Sequence, residues 1–173
     1  MEPLKEKIYA LLNGGDLRSI SGSNEVAMLI HSQNDFDVLF DFLNDSSRII
    51  VMRAADSIEK VSRRHSTYLD KHKTVLLGMI ADATDKELKW HLAQLVPRLK
   101  LDDDEKNNAF EIFKRWLLNE NESNIVRVNS IQALYELSYN SKSSKKSFDE
   151  ILISIEKENI PSINARIRKL KLR

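Results

Sequence analysis

Apolar residues recur at helical spacing along nearly the whole chain. Ile8, Leu11 and Leu12 form a first stripe, and Leu39, Phe42 and Leu43 a second. Leu76, Met79 and Ile80 repeat the spacing, followed by Phe110, Phe113, Leu117 and Leu118, then Ile151, Leu152 and Ile155. Steps of three and four place each set on one side of a 3.6-residue helix. Alternating β-branched patterns are scarce. Ser46–Met52 is the best strand candidate, yet it runs directly into the helical stretch Arg53-Ala-Ala-Asp-Ser-Ile-Glu-Lys. The predicted class is all-α. Helix-start signals agree: Thr84 with Glu87, and Asp102 with Glu105, have capping-box spacing. Ser46 and Ser123 are expected caps for two more helices. The acidic run Asp102–Glu105 reads as a helix start, favoured by the helix dipole, rather than as a metal site.

One pattern recurs at a longer period. Ile50, Ala54, Ile58 and Val61 are followed 38 residues on by Leu88, Leu92, Val96 and Leu99, and after another 38 by Val126, Ser130, Leu134 and Leu137. Each set is one buried helix face, preceded by another amphipathic helix and a short polar loop. The unit is a helical hairpin of about 38 residues, which must stack on its neighbours to bury both faces. Such units are expected over residues 35–72, 73–101 and 102–145, with a half-repeat over 146–173, as one continuous domain. Residues 1–34 are set apart as an N-terminal helical cap. That segment holds Gly14, Gly15 and Gly22, three of the four glycines, around an irregular stretch with Ser23 as the expected helix cap.

The hairpin pattern resembles the HEAT-repeat family, an armadillo-like α-α superhelix. The likeness is strongest where Val126-Arg127 and Ala133-Leu134 sit as in the family's second helix. Val51 and Lys89 stand where that arginine falls in the two preceding units, and Pro97 lies inside a second helix. The chain is also similar to short bacterial HEAT-repeat proteins of undefined activity. The resemblance implies a stack whose second helices line a concave face, and it specifies fold far more closely than function.

Composition narrows the functional classes. The chain has 173 residues and no cysteine, which removes disulfide scaffolds, thiol nucleophiles and Cys-based metal sites. Met1–Leu12 mixes Glu2, Lys5, Glu6 and Lys7 among its apolar residues, unlike a signal-peptide core. No apolar window of about 18 residues is present. The expected location is the cytoplasm, with no membrane partner. Net charge is only +1, but it is unevenly spread: −5 over residues 1–45, +5 over 46–100, −4 over 101–122 and +5 over 123–173.

No catalytic constellation emerges. His31, His65, His72 and His91 lack metal-ligand spacing, no GxSxG elbow occurs, and the glycine-rich segment lacks a phosphate-loop pattern. The expectation is a non-enzyme without cofactor or metal. If Ile50, Ala54, Ile58 and Val61 face the core, then Arg53, Asp56 and Lys60 turn outward. Their counterparts are Trp90, His91, Gln94 and Arg98, then Asn129, Gln132 and Glu136. Arg and Trp are enriched at binding hot spots, so this stripe is the expected contact surface for a protein partner of unidentified nature. Trp116, beside Phe110 and Phe113, is assigned to the core instead. An alternative is a nucleic-acid-binding HEAT protein of the DNA-glycosylase type. It would use basic clusters, with Arg63, Arg64, Arg166 and Arg168 as phosphate contacts. The polar end of the last helix favours a monomer.

Overall fold

The computed structural model describes residues 3–14, 22–139 and 142–171, and the side chains of all these except 142 and 143. Among them all regular structure is helical. The α-helices are α1 (Leu4–Asn13), α2 (Ser23–Leu29), α3 (Gln33–Phe40), α4 (Arg48–Ser62), α5 (Lys73–Asp82), α6 (Lys86–Leu95), α7 (Asp103–Leu118), α8 (Asn124–Ser138), α9 (Lys142–Glu156) and α10 (Pro161–Lys171). Short 3-10 turns occupy Asp41–Asn44, Ser66–His72 and Val96–Arg98. The strand candidate at residues 46–52 is instead the entry to α4, which is helical from Arg48 onward. The chain divides into two compact units, Met1–His72 and Lys73–Arg173.

In the first unit α4 is the central element, packed on α1, α2 and α3. Its buried face is the one read from the sequence: Ile50, Ala54, Ile58 and Val61 are all removed from solvent. The Ser57 hydroxyl lies between two carbonyls, that of Arg53 in its own helix at 2.8 Å and that of Ser23 in α2 at 3.2 Å, and shares its one hydrogen between them. The cap of α2 is Gly22, and Ser23 is its first, buried residue. Gly22 has φ +79°, and a Cβ there would lie 2.1 Å from the Leu11 carbonyl oxygen of α1. Only glycine supplies both the left-handed backbone and the close approach. Gly15, Asp16 and the other residues between Gly14 and Gly22 lie outside the described residues.

In the second unit three hairpins follow in order, α5/α6, α7/α8 and α9/α10. The second helices form the more closely packed layer, with α8 in contact with α6, α7, α9 and α10. Leu92, Val96 and Leu99 are buried, as are Val126, Ser130 and Leu134, while Leu88 and Leu137 at the ends of the two stripes are half-buried. Pro97 ends α6 at Leu95, because its nitrogen carries no hydrogen and its ring crowds the carbonyl four residues back. The chain continues as the 3-10 turn Val96–Arg98, which keeps Val96 and Leu99 on the core side. Trp116 is buried, edge-on to Phe113 at 5.3 Å, in agreement with its assignment to the core.

The caps differ in detail from expectation. The Asp102/Glu105 box is formed, with the Glu105 N–H donating to Asp102 at 2.8 Å and the Asp102 N–H to Glu105 at 2.9 Å. A second box, Ser32 with Asp35, opens α3. At α6 the cap position falls on Asp85 rather than Thr84, and at α4 on Ser47 rather than Ser46. Ser123 occupies the cap position of α8 without a side-chain cap bond.

Two arginines are among the most deeply buried side chains. Arg127 on α8 donates its Nε hydrogen to the Leu117 carbonyl at 2.8 Å, satisfying the end of α7. Its terminal nitrogen reaches both carboxylate oxygens of Glu158, at 2.6 and 2.8 Å, in the connection between α9 and α10. Lys89, one repeat earlier in the same register, bonds Glu122 in the connection between α7 and α8, with its ammonium 5.5 Å from the Trp116 ring centre. Each cation thus ties a second helix to the loop of the next hairpin. Arg127→Ala is expected to lower stability by about 3 kcal/mol, because it strips a buried carbonyl and a carboxylate together, and Glu158→Gln by about 1 kcal/mol. Urea denaturation followed by circular dichroism checks both values, and equally small losses for the two variants would contradict the assignment.

Candidate interaction surface

The residues singled out from the sequence meet different fates. Arg53 does not face outward. It is fully buried, donating to the Leu12 carbonyl at 2.6 Å and to that of Gly14, so it caps the end of α1. His91 is also buried, with its ring centre 4.3 Å from that of Trp90. The misplacement has a simple cause. A helix packed on three neighbours buries more than the narrow stripe assumed for it, and a long guanidinium can reach a carbonyl from within the core. Lys60 is half-buried and paired with Asp56 at 2.6 Å, and like Arg53 it lies in the first unit.

The remaining stripe residues belong to the second unit. Trp90, Gln94 and Arg98 are half-exposed along α6 and its 3-10 extension. On α8, Ile125, Asn129, Gln132 and Glu136 follow at steps of four, three and four, which runs them down one side of the helix. The Gln94 side chain donates to the Trp90 carbonyl at 3.3 Å and that of Asn129 to the Ile125 carbonyl at 2.8 Å. Gln132 donates to Glu136 at 2.7 Å while accepting from Arg166 of α10 at 2.9 Å. The amide orientation is therefore fixed from both ends, and α8 is joined to α10 at the surface.

The basic residues are mostly committed. Arg63 bonds Glu59 at 2.8 Å, which raises the guanidinium pKa further. Arg64 donates to the Ala27 carbonyl near the end of α2 at 3.1 Å, and Arg166 is held by Gln132. Arg168 is exposed on α10. Two further basic residues, Arg173 and the Lys142 side chain, fall outside the described residues. Among the described residues no group of three or more His, Asp and Glu could hold a metal ion, and no helix is long and apolar enough to cross a membrane.

A second polar centre, absent from the sequence reading, lies in the first unit. Asp37 of α3 receives Lys71, His72 (Nε2 at 2.7 Å) and Gln33 (2.8 Å). His72 also stacks on Phe40 with ring centres 3.8 Å apart. Desolvation alone would raise the Asp37 pKa, but the bonds from Lys71, Gln33 and His72 outweigh it and bring the carboxyl down to about 2. Asp37 clamps the Ser66–His72 turn onto α3, which is an architectural task.

The HEAT repeat domain model matches residues 8–172. The chain belongs to the HEAT-repeat family. HEAT repeats generally act as protein-interaction scaffolds. The match takes in the second half of α1 and all of α2, within the segment expected from the sequence to be a cap. No curated protein and no solved structure matches the chain. Of the stripe expected to face outward, Trp90, Gln94, Arg98, Asn129 and Gln132 are half-exposed on second helices and their extensions, while Arg53 serves the core. The signal that could have located Arg127 and Lys89 correctly was their shared register, each with an acid slightly more than thirty residues on.

The Asp37 clamp gives a pH dependence with a definite sign. A carboxyl depressed in the folded state adds stability above its unfolded value, near 3.8, and loses it as pH falls through about 2. Asp37→Asn should therefore be less stable than the parent by about 1 kcal/mol above pH 4, allowing for solvent screening of Lys71, with the gap closing toward pH 2. Thermal melts at a series of pH values read this directly, and a gap that widens on acidification would refute it.

Proposed function

We propose that this HEAT-repeat chain is a non-catalytic scaffold that binds a protein partner along the second helices of its second unit. Trp90, Gln94, Arg98, Asn129 and Gln132 make the contacts. The observation that supports this reading most is the fixed Gln132 amide, held between Glu136 and Arg166, on the helix neighbouring half-exposed Trp90. An amide oriented in advance loses little entropy on binding, and a partly exposed tryptophan is the side-chain type most often found at the energetic centre of an interface. The face is mixed in sign, with Arg98 and Arg166 against Glu136, which suits a polar protein surface better than a continuous phosphate backbone.

Affinity capture from native lysate with and without nuclease, comparing the parent with Trp90→Ala/Gln94→Ala, tests the reading. The parent is expected to recover a protein that survives nuclease, and the double variant to lose at least 80% of it (about 1 kcal/mol or more of binding energy) at unchanged circular dichroism. Equal recovery by both proteins would remove this surface from the function. Recovery that vanishes with nuclease would turn the assignment to nucleic acid and the exposed cations of α10.

A further inference from the structure

The last hairpin carries a cleft that the scaffold reading does not use. It has a volume of about 560 Å³ and lies among the end of α8, the first half of α9 and the end of α10. Its apolar lining comes from Tyr135, Phe148, Leu152 and Leu170, with the Tyr135 and Phe148 rings 6.1 Å apart. At its mouth Tyr139 is 73% exposed, more than any other large apolar or aromatic side chain described. An aromatic ring left so open beside an apolar cleft marks a place where another apolar group can bury area.

Charge narrows the occupant. Among the described residues two lysines line the cleft, Lys145 from α9 and Lys171 from α10, with Asp149 one turn beyond Lys145. Lys171 is engaged by Glu156 at 2.9 Å. Lys145 has no ion-pair or hydrogen-bond partner among the described residues, nor have Arg168 and Lys169 on α10. Residues 142–171 hold eight basic and four acidic groups, so the hairpin around the cleft is net positive by four. By contrast Arg63, Arg64 and Arg166 are all spoken for. The cleft thus sets the most exposed aromatic side chain of the described residues beside a lysine that no described residue neutralises.

We propose that this cleft docks an acidic peptide segment through one bulky apolar side chain. The anchor packs on Tyr135, Phe148 and Leu152 beneath Tyr139, and flanking carboxylates meet Lys145 and the Arg168/Lys169 edge of α10. Asp149 sets the polarity of the segment, since a ligand acid on its side of the cleft would be repelled. A segment of this kind gains its specificity from the pairing of anchor and charge, neither of which suffices alone.

Three fluorescein-labelled decapeptides test this on the intact protein by anisotropy: one of Glu and Asp around a central Trp, one with every acid replaced by Lys, and one with the Trp replaced by Ala. The acidic Trp peptide is expected to bind at least tenfold more tightly than either control and to weaken as salt rises. Lys145→Glu and Tyr139→Ala should each reduce its affinity by at least fivefold, while Trp90→Ala leaves it unchanged, which separates this site from the scaffold surface. Both substituted side chains are exposed. Should either variant melt early, the peptide series on the parent decides alone. Equal binding of the three peptides, or unchanged affinity in both folded variants, overturns the proposal. So does sedimentation showing that the parent self-associates and that Lys145→Glu abolishes this, which would give the cleft to a second copy of the chain.

Discussion

A helix that ends inside a protein leaves its last carbonyls without donors, and a stack of short helices meets this difficulty many times over. Here arginines from second helices answer it. Arg53 reaches from α4 to the end of α1, Arg127 from α8 to the end of α7, and Arg64 from beyond α4 to a carbonyl near the end of α2. A buried guanidinium without partners would cost several kcal/mol, so the buried positions of Arg53 and Arg127 tolerate little except a geometry in which the donors are used. The apolar stripes bring the helices together, and the arginines determine at which height one helix may stop against another.

This division of labour governs what is left for function. In the second unit α8 is covered by α6, α7, α9 and α10, and the side chains along its remaining side, Asn129, Gln132 and Glu136, neither enter the core nor move freely. Local bonds fix them, and Arg166 extends the fixed row to α10. Lys89 and Arg127 tie each second helix to the following loop, so that neighbouring hairpins keep their spacing and the surface keeps its pattern. Rigidity in the core and pre-orientation at the surface are here one property seen from two sides. The cleft beside Tyr139 differs in kind: it lies where helices end, and it offers apolar depth and a lysine, Lys145, without a partner among the described residues, rather than an ordered row of amides.

The sequence disclosed the helices, the class and the repeat with little ambiguity, because the period of apolar positions is a direct imprint of burial. Ala54, Leu92 and Leu134 could be assigned to the core from spacing alone, and all three are fully buried. The same spacing misjudged Arg53 and His91. Hydropathy treats a guanidinium as a surface group, and only the distant carbonyls of Leu12 and Gly14 reveal why this one is inside. The Asp102/Glu105 box was legible from its spacing, whereas the Ser32/Asp35 box closes with an aspartate in place of the usual Glu or Gln, and Gly22 caps α2 through its positive φ alone. The Asp37 centre was hidden for a further reason. Its partners Lys71 and His72 are more than thirty residues away and belong to no repeat pattern, so nothing local announces them.

That second-helix arginines hold neighbouring helices in place by satisfying their ends can be read by native-state hydrogen exchange on Arg53→Met, a substitution that keeps most of the side-chain volume and removes the donors. Amides of α1 and α2 are expected to lose protection by about tenfold or more while those of α5 to α10 exchange as in the parent. Protection in α1 that survives the substitution, or a loss spread evenly over the whole chain, would contradict it.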